Sequence, residues 1–176
     1  MATKMSKLNI LRTVIHENYQ LNARFLEETE CHPRMRIDII DEGIEYLVCK
    51  FDRPNTDTFP FFANISGLNK ICDYVVVFER RGKLQLIISE LKKGKDNNNA
   101  NHQLKASEEF LKYIIKTANR IGFEINIDDC NFHKVRFSEA NIRRMKQKTK
   151  MHDPLHSYGQ GFFDYKSSEL RFKYFG

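Results

Sequence analysis

The chain has 176 residues, with 29 Lys and Arg against 23 Asp and Glu, a net charge of +6. That length suits one domain able to bury a real core. With 14 Phe and 7 Tyr it is too aromatic for a chain that buries nothing, which excludes disorder as the main description. The 8 Gly and 4 Pro exclude collagen-like and linker-like chains, and the longest apolar run, Tyr74 to Phe78, is too short for a membrane-spanning helix. The first twenty residues alternate charged and apolar side chains and lack the apolar stretch of a signal peptide, which predicts a cytoplasmic protein with no membrane partner. Cys31, Cys49, Cys72 and Cys130 form no CxxC pair, so reduced, mostly buried thiols are expected. The excess of positive charge points to a polyanionic partner.

In chain order, residues 6–29 carry Leu8, Leu11, Val14, Ile15, Phe25 and Leu26 at roughly helical spacing and end in Glu27, Glu28 and Glu30. This predicts one helix, whole or broken, with Pro33 beyond its end. Residues 35–52 give two extended runs around Asp41-Glu42-Gly43, a hairpin signal. The stretch 53–71, with Pro54, Pro60 and Gly67, reads as a loop followed by a short helical turn. Two clear strands follow, Cys72 to Glu79 and Lys83 to Lys92, joined by Arg80-Arg81-Gly82. Beyond a polar loop, Leu104, Phe110, Leu111, Ile114, Ile115 and Ala118 make the apolar stripe of a long helix over 102–120, closed by Gly122. Phe132 to Phe137 alternates as a further strand. Residues 141–152 are basic without an acid, and Phe162 to Phe175 reads as a second hairpin. The order implies an α/β domain, a mixed central sheet flanked by helices as α-β-β-β-α-β, over residues 1–140. Residues 141–176 would form a basic and aromatic C-terminal extension packed on the same domain.

Side chains alternate faces along a strand, so Leu84, Leu86, Ile88, Glu90 and Lys92 share one face. The apolar row runs straight into a carboxylate and an ammonium. On the preceding strand Asp73, Val75, Val77 and Glu79 share a face. A turn centred between Arg81 and Gly82 makes paired residue numbers sum to 163, which sets Asp73 opposite Glu90. Like charges directly opposed are destabilising without a compensating cation. A divalent metal is one such cation, since Mg²⁺ is typically held by one or two carboxylates, waters and phosphate oxygens. Lys92 would stand within reach of the same spot, able to neutralise a developing charge or orient a water. The alternative reading is a solvated cross-strand salt bridge.

Asp73, then Glu90-Leu91-Lys92 17 residues on, then a long helix, resembles the PD-(D/E)XK nuclease superfamily, over roughly residues 6–138. The resemblance implies a restriction-endonuclease-like fold and a metal-dependent nuclease acting on nucleic acid, DNA ahead of RNA. Asp73 and Glu90 would bind one or two Mg²⁺, with Mn²⁺ as substitute. The Leu91 carbonyl would add a ligand, and Lys92 would be the motif lysine. Gln103 matches a glutamine carried near the start of that helix by some branches, including junction resolvases and VRR-type nucleases; it reads equally as a solvated helix-start residue. Cys72 stands where the motif has proline. A further acid often comes from the first helix, and Glu17, Glu27 and Glu28 stay open, with a lean to Glu17.

Lys93 and Lys95 flank this site and would meet the scissile backbone. Arg143, Arg144 and Lys146, in the run that continues to Lys148 and Lys150, would grip phosphates or form a solvated face. Neither His152 and His156, separated by Pro154, nor Cys130-x-x-His133 makes a metal site. Tyr158, Phe162, Phe163 and Tyr165 are read as packing rather than as a base-stacking platform. A homodimer is compatible with cutting both strands of a duplex. The alternatives to a nuclease are a non-catalytic nucleic-acid-binding module of the same fold, and an interaction protein in which Asp73, Glu90 and Lys92 are a surface salt-bridge group.

Overall fold

A computed structural model describes residues 5–29, 34–53, 59–63, 65, 68–92, 97–138 and 154–176. Its first helix, α1 (Lys7–Val14), starts where the Ser6 hydroxyl accepts the Asn9 N–H and buries Leu8, Ile10 and Leu11. Helix spacing continues past it in the sequence, but the chain does not follow. The Gln20 side-chain amide donates to the carbonyls of Arg12 and Ile15 at 2.8 and 2.6 Å, satisfying groups that a helix end leaves unpaired. Residues 20–28 then form strands β1 (Gln20–Leu21) and β2 (Phe25–Glu28) instead of the expected helix. Cross-strand pairing of Leu26 with Ile37 outweighs a weak local propensity here.

Strands β3 (Met35–Ile40) and β4 (Tyr46–Cys49) flank a turn at Asp41–Gly43, as expected. They do not pair with each other, which corrects the hairpin. Leu47, Val48 and Cys49 are all buried, so β4 needs cover on both faces and lies inside the larger sheet. The larger sheet also takes β5 (Tyr74–Arg80), β6 (Lys83–Lys92), β7 (Cys130–Ser138), β8 (Leu155–Gly159) and β9 (Phe162–Tyr165), in the order β1-β4-β5-β6-β7-β9-β8. Strands β6, β7 and β9 are mutually parallel and the other neighbours antiparallel. The parallel step from β6 to β7 needs a crossover, supplied by α2 (Asn97–Arg120). That helix ends as its composition says it should: Gly122, at φ 102°, donates to Asn119 O, and Phe123 donates to Ala118 O.

The expected hairpin over 162–175 is also corrected. Strand β10 (Glu169–Arg171) leaves β9 and pairs with β3, giving a second sheet ordered β10-β3-β2. The exposed β8, with no apolar alternation to announce it, adds an edge strand beside β9. The result is a mixed α/β architecture in three layers. Helices α1 and α2 cover one face of the large sheet, where Leu8, Leu11, Leu104, Leu111 and Ile115 meet Val75, Val77, Leu86 and Ile88. The small sheet and the C-terminal aromatics cover the other, where Ile37, Leu170, Phe172 and Phe175 meet Val76, Phe78, Ile87 and Phe137. Among the described residues no helix is long and apolar enough to cross a membrane. Cys49, Cys72 and Cys130 are buried free thiols, and Cys31 lies outside the described residues.

The second core turns on Phe172, fully buried and stacked on Phe78 at 4.1 Å with rings 10° apart. Phe172→Ala removes that stack and is expected to cost about 3–5 kcal/mol. A calorimetric melting temperature roughly 10 °C lower is the expected reading. A change within 2 °C would show that the C-terminal segment adds little to the fold.

Candidate active site

The β5–β6 hairpin closes with two residues at positive φ, Arg81 at 51° and Gly82 at 73°, the geometry that matches the twist of paired strands. Every pair from Arg80↔Lys83 to Tyr74↔Ser89 keeps the 163 sum. Asp73 lies one residue before the ladder begins, level with Glu90. Leu91 turns its N–H towards the β5 edge where β5 has ended, and the Asp73 Oδ2 accepts it at 2.7 Å. A strand residue projects its N–H and C=O from the same edge, so the Leu91 carbonyl faces this side as well.

Glu90 is fully buried at the end of the row formed by Leu84, Leu86 and Ile88. Lys92 Nζ stands 2.7 Å from its Oε1, a close ion pair. Both Glu90 oxygens are buried, and Oε2 is left without a close hydrogen-bond partner. Burial lifts Glu90 to about 7, the Asp73 charge adds to the rise, and Lys92 pulls against it. Burial likewise lifts Asp73 to about 6, opposed by the Leu91 N–H and by Lys92. The two carboxyls titrate as one unit. For Lys92 burial acts downward, but the attraction of Glu90, Asp73 and Glu28 outweighs it and holds the ammonium above its usual range.

Two further charges reach this point. Glu28, at the end of β2, raises Asp73 and stabilises the Lys92 ammonium; Lys50, just past β4, lowers Asp73. Of the three acids left open by the sequence, Glu28 is thus the one felt at the site, whereas Glu17 sits in the 3-10 turn after α1. The expected helix over 6–29 hid this, because only strand pairing of β2 with β3 carries Glu28 here. Lys50 was legible in principle: the β4–β5 register of Cys49 with Val75 continues to Lys50 beside Tyr74. Its Nζ lies 4.9 Å from the Tyr74 ring centroid, and the Tyr74 hydroxyl donates to Glu27 O at 2.8 Å.

Gln103 is placed next to the chain that leads into Asp73. Its amide donates to Ile71 O at 3.4 Å, and Ser107 on the same helix accepts the Cys72 N–H at 2.8 Å. The start of α2 is thereby tied to the chain that leads into Asp73, a positioning role. Cys72 is fully buried and burial pushes its thiol far above the usual range, so it packs as a neutral group. Cys130 donates to Asn126 O, and His133, which burial and Lys134 pull down to about 4, pairs with Gln85 Oε1 at 2.8 Å. Phe162 and Tyr165 are core residues, while Tyr158 is 44% exposed. Lys93, Lys95, Arg143, Arg144 and Lys146 lie outside the described residues.

No family model, curated protein or solved structure matches this chain.

Among the described residues no group of three or more His, Cys, Asp and Glu side chains is gathered to hold an ion. The donors at hand are the Asp73–Glu90 pair and the Leu91 carbonyl. Hard oxygen donors from one or two carboxylates, with the remaining positions left to water and phosphate, suit Mg²⁺. Glu90 Oε2, buried without a close partner, is what such an ion would satisfy, so the residues present fit the group.

Proposed function

We propose that this chain is a Mg²⁺-dependent nuclease of restriction-endonuclease-like fold, acting in the cytoplasm on phosphodiester bonds of nucleic acid, DNA ahead of RNA. The observation that carries the reading is the buried Glu90 carboxylate, paired through Oε1 with Lys92 and unpartnered at Oε2, beside a second carboxylate that caps the Leu91 N–H. Lys92 compensates one carboxylate, but two adjacent buried carboxylates carry one charge more than it neutralises, and an uncompensated buried charge is costly. Asp73, Glu90 and the Leu91 carbonyl would hold Mg²⁺ or Mn²⁺. When bound, such an ion makes a water nucleophilic at neutral pH and offsets charge on the phosphoryl oxygens. Lys92, protonated throughout the physiological range, acts through its charge and not as a base. Gln103 and Ser107 keep Asp73 in register by fixing the backbone at Ile71 and Cys72.

A second reading is a non-catalytic nucleic-acid-binding module. It is favoured by the raised carboxyl pair, because one shared proton removes the charge conflict without any ion. Calorimetry with Mn²⁺ and Mg²⁺, and cleavage of plasmid, single-stranded DNA and RNA, separate the two. Wild type is expected to bind and cleave, and Asp73→Asn and Glu90→Gln to lose both while staying folded. If wild type binds neither ion even with a non-cleavable oligonucleotide present, the nuclease reading falls. Salt-sensitive, Mg²⁺-independent binding of nucleic acid would then favour the module.

A further inference from the structure

The parallel register of β6 and β7 puts Arg136 beside Glu90, and that of β7 and β9 puts Asp164 beside Arg136. With Asp73 one step before β5, a polar row crosses the sheet from carboxylate pair to guanidinium to carboxylate. Neighbouring strands are about 4.8 Å apart, so Glu90 and Arg136 are immediate neighbours on the helix-covered face. Arg136 is nine-tenths buried, and its Nε donates to Asp164 Oδ1 at 2.8 Å, with Nη2 on the same oxygen. The guanidinium is planar, so engaging its Nε–Nη2 edge on β9 turns Nη1 away from Asp164. Nη1 is buried with no hydrogen-bond partner. The Tyr158 ring, 5.5 Å from the guanidinium carbon, lies against the same group.

Arg136 Nη1 thus lacks an acceptor although a buried carboxylate sits at the paired position of the neighbouring strand. If Arg136 served only to join β7 to β9, Asp164 would complete its role and Nη1 would need no burial. The phosphoryl oxygen of a phosphodiester has the charge and size to accept from Nη1.

We propose that Arg136 is a phosphate-binding residue of this site, donating through Nη1 to a non-bridging oxygen of the nucleic-acid backbone, with Asp164 as the residue that aims it. This deepens the nuclease reading and rests on it for the identity of the site. The other face of the guanidinium is already committed, so the fork presents a single donor end rather than a bidentate grip. Lysine at this position would keep the charge but lose both the Asp164 anchor and the direction of Nη1.

The test is the affinity of full-length protein for fluorescein-labelled dT12, for a 20-base-pair duplex and for a matching RNA in EDTA, read by anisotropy beside a melting curve. Arg136→Lys is expected to weaken binding about tenfold, the scale of one charge-assisted hydrogen bond, without a large loss of melting temperature. Asp164→Asn, which leaves the guanidinium in place but loosens it, is the second variant should the first not fold. It is expected to weaken binding severalfold and, in the presence of Mn²⁺, to raise KM more than it lowers kcat. Equal affinity of wild type and either folded variant overturns the proposal, as does a wild type that binds none of the three probes. Arg136-dependent binding by a protein that cuts nothing would sink the nuclease reading alone. Cleavage by wild type with no dependence on Arg136 would sink this proposal alone.

Discussion

At pH 8 without divalent ions, Glu90→Gln is expected to melt above wild type by roughly 5 °C, taking about 2–4 °C per kcal/mol for a chain of this size. The reason lies in the direction of the titration. The Glu90 carboxyl is lifted from its usual 4.5 to about 7 by burial and by the Asp73 charge. Between those values the folded protein binds more protons than the unfolded chain, so stability falls as pH rises through the window. By pH 8 the folded state carries an ionised, fully buried carboxylate next to another. Glutamine keeps the shape and removes the charge. A tenfold change in proton affinity corresponds to about 1.4 kcal/mol, which places the gain on the order of 2 kcal/mol, since part of the rise is shared with Asp73 in the coupled pair. At pH 4.5 the gain should vanish, because the native carboxyl is already protonated there.

His133 acts in the opposite sense. Its pKa is pulled down to about 4, so it withdraws stability as pH falls below its usual 6.5. The contribution is common to both proteins and cancels in the difference between them, which is why the pair of calorimetric series, and not the wild-type curve, is the measurement. Excess Mn²⁺ should invert the order at pH 8. At a concentration a hundred times its dissociation constant it would add about 2.7 kcal/mol to wild type and nothing comparable to the variant. A wild type more stable than Glu90→Gln at pH 8 in EDTA would mean that the buried carboxylate is structural, and the site would lose its strongest support.

The hairpin that carries the site was legible because three independent signals agreed: alternation along both strands, a two-residue Arg-Gly turn, and the position at which apolar rows give way to charge. Such local features survive folding, since a hairpin register depends on little beyond its own turn. The failures have the opposite character. Leu8, Leu11, Val14, Phe25 and Leu26 fit a helical stripe, yet Leu26 is buried by a strand partner eleven residues away, Ile37, that no local pattern announces. Asp41-Glu42-Gly43 and the segment after Tyr165 both turn as expected. In each case the two arms part to opposite sheets, because β4 requires burial on both faces while β10 is needed to seal the second core with Phe172. Glu28, Lys50 and Arg136 reach the site only through those long-range pairings. The motif residues could be read, but the surroundings that set their charge state could not.

Lys92→Met should separate binding from chemistry. The methionine stem retains the packing of the lysine methylenes, while the ammonium 2.7 Å from Glu90 Oε1 is lost. Lys92 lowers the pKa of both carboxyls, so without it the pair holds its proton to higher pH. Apo stability should therefore keep falling with pH over a wider window than in wild type. Mn²⁺ affinity, compared at a pH high enough to ionise the pair in both proteins, should be undiminished or tighter, because a cation competing for Glu90 has been removed. Hydrolysis, in contrast, is expected to drop about 10²–10⁴-fold, the usual scale for removing one positioned charge or proton-handling group from a reacting centre. Lys92→Arg keeps the charge but not the compact head group, and should recover part of the rate. A parallel fall of metal binding and rate in Lys92→Met would assign the lysine to holding the carboxylates in place. An unchanged rate would detach it from the chemistry altogether, leaving Asp73 and Glu90 to account for any hydrolysis alone.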